Sequence, residues 1–446
     1  MWSSRRHLSH DYSAAWPLWL VLCALLSVAP LAAGAQRAFY VIGHDRNLAA
    51  GNYSLYPDSV SRKLTPAPAG KKPFYISHYG RHGSRYLNSR KGYDIPYSMM
   101  RKADSLHALT PIGRRVLNDL KDIIEDSEGR WGDLTGLGKR QHSQIAARMM
   151  EHFPEVFEGD AFVDARSTPV NRCVVSMGAA IQQLVRLNPR LQVTMNASKR
   201  DFVYLNHQDR ELRDSMKSKR ANDAYEEYAS YRWSNPRLMS LLFTNPDSLR
   251  SVVTEKWLNY YLVMVSLIQQ NTHMGVDKEF LLNLFTNEEI YRFWLNENAW
   301  WYMMHGFFAL NGGHQPYTQR FLLRKIIEEA DAAIRSNRHG ANLRFGHETV
   351  VLPLACLLGI NGYDFKTDDL SQLESHGWWA CMVFPMAANI QLVFYRSGPD
   401  DDDVVFKVLL NEEEATLPIP TDIAPYYHWC DFREHYLKMI DAYDHR

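Results

Sequence analysis

Two stretches of this chain repeat the same local order of a β-prone run, a loop and a helical pattern, and a third run has the same beginning. Phe74-Tyr75-Ile76-Ser77-His78-Tyr79 stops at Gly80, with Gly83 close behind, so a strand ends there in a tight loop. Residues 161–165 form a second such run, which precedes Ser167-Thr168-Pro169 and a helical stretch over 170–187. Leu343-Arg344-Phe345 runs into Gly346-His347-Glu348-Thr349 in the same manner. Further helix starts stand at Thr110-Pro111 and at Thr135-Gly136, the latter leading into 139–153, where Ile145, Met149 and Met150 share a face. This recurrence predicts an α/β fold, a sheet core flanked by helices, with ligands at the carboxyl ends of the strands.

With 446 residues the chain is long enough for a large core interrupted by an insertion. Residues 196–315 are dense in Tyr, Trp, Met, Arg and Glu at helical spacing with few strand signals, which predicts a mostly helical cap. The α/β core then comprises 36–195 and 316–446, and the aromatic stretch 294–308 reads as helix packing. Ile390-Gln391-Leu392-Val393-Phe394-Tyr395 and 404–410 flank Ser397-Gly398-Pro399 and four aspartates, a hairpin whose acidic turn is expected to face solvent rather than to bind calcium.

Hydrophobic residues make up 46% of the chain, which excludes a disordered polymer, and 50 basic against 50 acidic residues leave no global field for nucleic acid. Any anion site must be local. Arg5 and Arg6, the apolar stretch 18–33 and Ala33-Gly34-Ala35 have the order of an export signal over 1–35, cleaved before Gln36. The alternative is a retained N-terminal anchor; no other stretch resembles a membrane span. Cys173, Cys356, Cys381 and Cys430 lie too far apart for a zinc cluster, and either disulfides or buried thiols fit them. Asn52-Tyr53-Ser54 and Asn196-Ala197-Ser198 match the glycosylation sequon.

The chemistry concentrates in Arg81-His82-Gly83-Ser84-Arg85. Two guanidinium groups offer planar forks of donors matched to phosphate oxygens, beside an imidazole. Such a histidine attacks phosphorus when one ring nitrogen is unprotonated and the other is held by an acceptor, most simply a backbone carbonyl. Other chemistries fail on their residues. HExxH needs a histidine where Val351 stands, there is no GxSxG elbow, and Gly138-Lys139-Arg140 lacks the rest of a P-loop.

Arg81-His82-Gly83-Ser84-Arg85-Tyr86 resembles the RHGxRxP signature of the histidine acid phosphatases, and its context from His78 is most similar to the multiple inositol polyphosphate phosphatases and phytases. The resemblance implies a phosphohistidine mechanism with His82 as nucleophile and Arg81 and Arg85 on phosphate. Arg166-Ser167-Thr168-Pro169-Val170-Asn171-Arg172 is similar to the stretch that supplies a further phosphate arginine, here Arg172 and not Arg166. Gly346-His347-Glu348-Thr349 stands where the family has HD or HAE; it implies His347 on phosphate and Glu348 as proton donor. An ungapped count to Pro353 puts a glutamate where the HD aspartate stands, so its carboxyl must be delivered by a shifted backbone or another rotamer. Phe384-Pro385-Met386-Ala387-Ala388-Asn389 belongs to the same resemblance. The expected activity is hydrolysis of a phosphorylated small molecule, with no metal or cofactor and no nucleic-acid partner. Inositol polyphosphates such as phytate are the first substrate class; a broad acid phosphatase and an inactive binding module are the alternatives. Arg210, Arg213, Lys217, Lys219 and Arg220 are candidates to line the substrate site or a solvated helix face.

Overall fold

The computed structural model describes residues 37–57, 63–207, 209–272, 278–336 and 338–446; the expected export signal lies outside them. Eight strands form the main sheet: β1 (Lys72–Arg81), β2 (Phe162–Ser167), β3 (Gln192–Ala197), β4 (Gly340–Gly346), β5 (Asn389–Arg396), β6 (Val405–Leu410), β7 (Glu413–Ala415) and β8 (Tyr427–His428). Their order is β8-β6-β5-β1-β4-β2-β3, with β7 paired to β6. Strands β1, β4, β2 and β3 run parallel, whereas β5, β6 and β8 add an antiparallel half. The chain is therefore mixed α/β, and β5 and β6 form the hairpin expected around the acidic turn. In that turn Asp401 binds Lys71 at 2.7 Å and accepts from the Ser397 and Asp403 amides at 2.6 and 3.0 Å.

Alternation along the strands covers both faces of the sheet. Ile76, Val163, Leu343, Phe345 and Val393 point into one apolar cluster with Met149, Met177 and Ile181. Tyr75, Tyr79, Ile390, Leu392 and Phe394 point into the other, against Leu322, Ile326, Val350, Leu354 and Phe432. This double burial follows from crossovers that return on opposite faces. The covering helices include α1 (Gly136–His152) and α2 (Asn171–Leu187) on the first side, and α3 (Arg320–Arg335), α4 (Glu348–Leu358) and α5 (Trp429–Asp444) on the second. Thr135 caps α1 by accepting from the Gly138 amide at 3.3 Å.

A third apolar cluster joins two stretches distant in sequence. Ala38, Ala49, Tyr93, Met100, Val116 and Leu120 pack with Trp233, Leu262, Phe285, Phe293 and Trp294. The helical layer is thus built from residues on both sides of position 196, and the segment around 46–53 is held between that layer and the sheet. Cys173, Cys356 and Cys381 are buried free thiols, and Cys430 is an exposed one.

Candidate active site

Arg81 ends β1 and is paired in register with Gly346 at the end of β4, so His82 and His347 leave adjacent parallel strands side by side. Their rings lie 5.9 Å apart, and Ser167 of β2 lies opposite Phe345. The site therefore opens at the carboxyl ends of β1, β4 and β2, where the topology leaves a crevice.

His82 is fully buried. Its Nδ1 lies 2.9 Å from the Gly83 carbonyl, which can only accept, so Nδ1 carries the proton and the Nε2 lone pair is free. Nε2 has no hydrogen-bond partner and sits 3.4 Å from Glu348 Oε2. Burial, assisted by Arg81 and Arg85, holds its pKa well below the ordinary histidine value despite Glu348. The loop around it allows no extra atoms: a Cβ at Gly83 would come within 2.5 Å of the Gly138 carbonyl oxygen, and one at Gly138 within 2.4 Å of the Ser84 carbonyl oxygen.

Arg81 and Arg85 are also fully buried. Arg81 Nη1 donates to the carbonyls of Asn52 (2.8 Å) and Phe384 (2.6 Å); Arg85 Nη1 donates to that of Tyr86 (2.9 Å), with its guanidinium 4.8 Å from the Tyr53 ring centre. Each keeps Nε and Nη2 without a hydrogen-bond partner. Buried donors left open in this way are costly unless a ligand meets them. Arg172, in the first turn of α2, is partly buried, and its Nε is open too. Burial and then Arg85 lower its pKa, which puts it in the same positive field. Arg166 turns away to Asp164, at 3.0 Å.

Glu348 is the first residue of α4, and its carboxylate reaches back over the loop. Oε2 lies 3.2 Å from Arg81 Nη2, and Oε1 lies 3.7 Å from Arg85 Nη2. Burial alone would raise this carboxyl, but Arg81, the His82 contact and Arg85 hold it well below the carboxylate range. His347 Nε2 lies 3.2 Å from the Thr168 hydroxyl, and the His347 amide donates to the Tyr79 hydroxyl at 3.3 Å. Burial lowers the His347 pKa to about 4. Ligand atoms of His82, His347 and Glu348 lie within 4.8 Å of one another, but three guanidiniums beside them favour an oxyanion over a metal cation.

Asn52 and Tyr53 are site residues that no sequence pattern announces. The Asn52 side chain donates to Glu348 Oε1 at 3.2 Å, while its carbonyl receives Arg81. A sequon drew attention to Asn52 for another reason, and its contact with Glu348 spans 296 positions, beyond any local pattern. The Phe384 to Asn389 stretch acts through its backbone: the Ala388 carbonyl accepts from the Arg81 amide at 2.9 Å, and the Ala387 amide donates to the His82 carbonyl at 3.0 Å.

Two cavities flank the centre. One, of about 500 Å³, is lined by His207, Arg213, Lys217, His305 and Thr349, among others. Of the basic run 210–220 it takes only Arg213 and Lys217; Lys219 pairs instead with Asp223 in solvent. The other, of about 430 Å³, is predominantly aromatic and includes Asn52 and Tyr53 in its wall.

A parallel-sheet crevice holding a histidine among arginines is the setting of phosphoryl-transfer chemistry, and residues 80–411 match the histidine phosphatase superfamily (branch 2). The chain belongs to that family and is a phosphoric monoester hydrolase. Among solved structures it is similar to the multiple inositol polyphosphate phosphatase of Bifidobacterium longum in complex with inositol hexasulfate, with a TM-score of 0.72, 18% identity, and coverage of 86% of this chain and 96% of that one. It is also similar to the phytase from D. castellii, with a TM-score of 0.67, 13% identity, and coverage of 88% and 84%. A search of the curated proteins finds no match. At these identities the structural likeness concerns the fold. Among the described residues no helix is long and apolar enough to cross a membrane.

Proposed function

We propose that this enzyme is exported and hydrolyses inositol polyphosphates through a phosphohistidine on His82. The observation that carries the proposal is the His82 ring: Nδ1 tied to the Gly83 carbonyl, with an open Nε2 beside unfilled donors of Arg81 and Arg85. Arg81, Arg85, Arg172 and His347 take the non-bridging oxygens and neutralise charge as it develops. Nε2 attacks phosphorus, the ester P–O bond breaks, and the Glu348 carboxyl gives its proton to the leaving oxygen. Water then attacks the phosphohistidine and passes a proton to Glu348; the P–N bond breaks and inorganic phosphate leaves.

Before an ester binds, Glu348 is ionised, because Arg81 and Arg85 beside it hold its carboxyl low. A bound phosphate engages those cations and adds negative charge next to the carboxylate, so its proton affinity rises as the ester binds. Arg213 and Lys217 beside Thr349 favour a substrate carrying more than one phosphate. Export is supported by the order of charge, apolar run and small residues over 1–35.

The test uses labelled substrate and an alkaline quench. Label should appear as acid-labile phosphohistidine in the wild-type enzyme and be lost with activity in His82→Ala. Turnover that persists in that variant without acid-labile label overturns the mechanism. Inositol phosphates should exceed an aryl phosphate in kcat/KM; the reverse order overturns the substrate class.

A further inference from the structure

The aromatic cavity has the wrong chemistry for phosphate. Aromatic rings, Trp233, Trp257, Tyr260, Tyr261, Trp300 and Trp301 among them, supply most of its wall. Its charged groups are Glu226, Glu297 and one cation, Lys256, which lies 3.4 Å from Glu226. A polyanion entering here would find the cavity's cation already paired with Glu226.

Its unfilled groups specify something else. The indole N–H groups of Trp233 and Trp301, two residues of this wall, are buried and meet no acceptor among the described residues. The Glu297 carboxyl has no hydrogen-bond or ion-pair partner there either, and burial raises it to about 7. Indole N–H groups can only donate; a carboxyl, protonated or not, accepts. An organic cation would satisfy the aromatic faces and the carboxylates but leave both indoles open, and it would meet Lys256. A hydroxyl both donates and accepts, and the C–H face of a saturated ring packs on indole and phenol rings. The cavity also adjoins the phosphate centre: Asn52, in its wall, binds Glu348, Tyr53 lies against Arg85, and Trp301 stacks on His305 at 5.2 Å.

We infer that this chamber receives the uncharged, hydroxyl-bearing edge of the ring whose phosphate lies at His82, a cyclitol or a pyranose, and excludes an edge that is fully phosphorylated. The inference rests on the phosphatase reading for its placement, and it narrows the substrate to rings that carry free hydroxyls beside the scissile ester. Arg213 and Lys217 lie in the other cavity and serve the phosphates that remain.

Free myo-inositol titrated into the full chain, followed by tryptophan fluorescence, tests the chamber without turnover. A saturable change is expected, weakened by roughly tenfold or more in Trp257→Ala and in Glu297→Gln. Trp257 is 46% exposed, so its truncation leaves no sealed hole, and near-UV dichroism checks that both variants keep the fold. Saturation by choline but not by myo-inositol, unchanged binding in both folded variants, or no saturation at any soluble concentration overturns the inference. Kinetically, kcat/KM should be higher for an inositol polyphosphate that keeps free hydroxyls beside the scissile ester, such as a trisphosphate, than for the hexakisphosphate, and the opposite order also overturns it. Absence of phosphate release from every ester would strike the phosphatase reading, while the titration would still report on the chamber.

Discussion

Glu348→Gln keeps the shape of the side chain and removes its proton. For inositol esters, whose alkoxides leave poorly, kcat should fall by about 10²–10⁴-fold, and for an aryl phosphate much less. Equal losses on the two substrates would mean that Glu348 only orients Arg81. Glu348→Asp retracts the carboxyl from two guanidiniums and the His82 ring, and a displacement of about an ångström costs on the order of a hundredfold. Asn52→Ala separates two roles of one residue. The backbone carbonyl that receives Arg81 survives, so KM should change little, while loss of the hydrogen bond to Glu348 should lower kcat roughly tenfold. A change confined to KM would place Asn52 in substrate binding instead. His82, Arg81, Arg85 and the His347-Glu348 pair were legible in the sequence because each set of neighbours leaves one strand end together. Asn52, Tyr53 and Thr168 were not, since each meets its partner only after the sheet has assembled.

At the scale of elements, the loop after β1 and the start of α1 touch backbone to backbone. Gly83→Ala would push the loop off α1, because its Cβ would meet main-chain atoms of Gly138 that cannot rotate away. The expected outcome is a fall in stability of about 1–3 kcal/mol together with near-complete loss of kcat, read by denaturant unfolding and phosphate release on the same preparation. Retained activity would mean that the loop tolerates the shift. Strands β1, β2 and β4 show in the sequence because each is a short apolar run stopped by turn residues. Strand β3 does not: it lies at the sheet edge, and although Val193, Met195 and Ala197 alternate with polar residues, only Val193 is even half-buried. The helix Lys91–Ser105 was hidden for another reason, since Pro96 lies within it and reads as a breaker.

For the whole molecule, the five histidines buried among the described residues decide the response to acid. Burial lowers His78 and His142 to about 3, His305 and His347 to about 4, and His82 well below its ordinary value. The unfolded chain takes up protons near pH 6.5 that the folded one refuses, so stability falls as pH drops below that value and is restored above it. Each histidine contributes up to about 1.4 kcal/mol per pH unit between its folded pKa and 6.5. Glu348, held low, adds a loss in the same direction below about pH 4.3. The melting temperature should therefore decline steeply from pH 6.5 to 4.5 in the empty enzyme, and inorganic phosphate should recover part of it by binding the folded state. A flat profile would show that these rings are hydrated or protonated in the fold.

The contact between Asn52 and Glu348 also bears on how the protein is produced. Asn52 heads an acceptor sequence for N-linked sugar, yet its amide is used inside the catalytic centre, while Asn196 lies on an exposed strand edge. A eukaryotic secretory host that attaches an oligosaccharide during synthesis would place a bulky group on the very nitrogen that must reach Glu348. Material from such a host should divide by mass into an active fraction bare at Asn52 and a dead fraction carrying sugar there, whereas sugar on Asn196 should cost nothing. A bacterial host, or Ser54→Ala in a yeast, would then be the route to uniform enzyme.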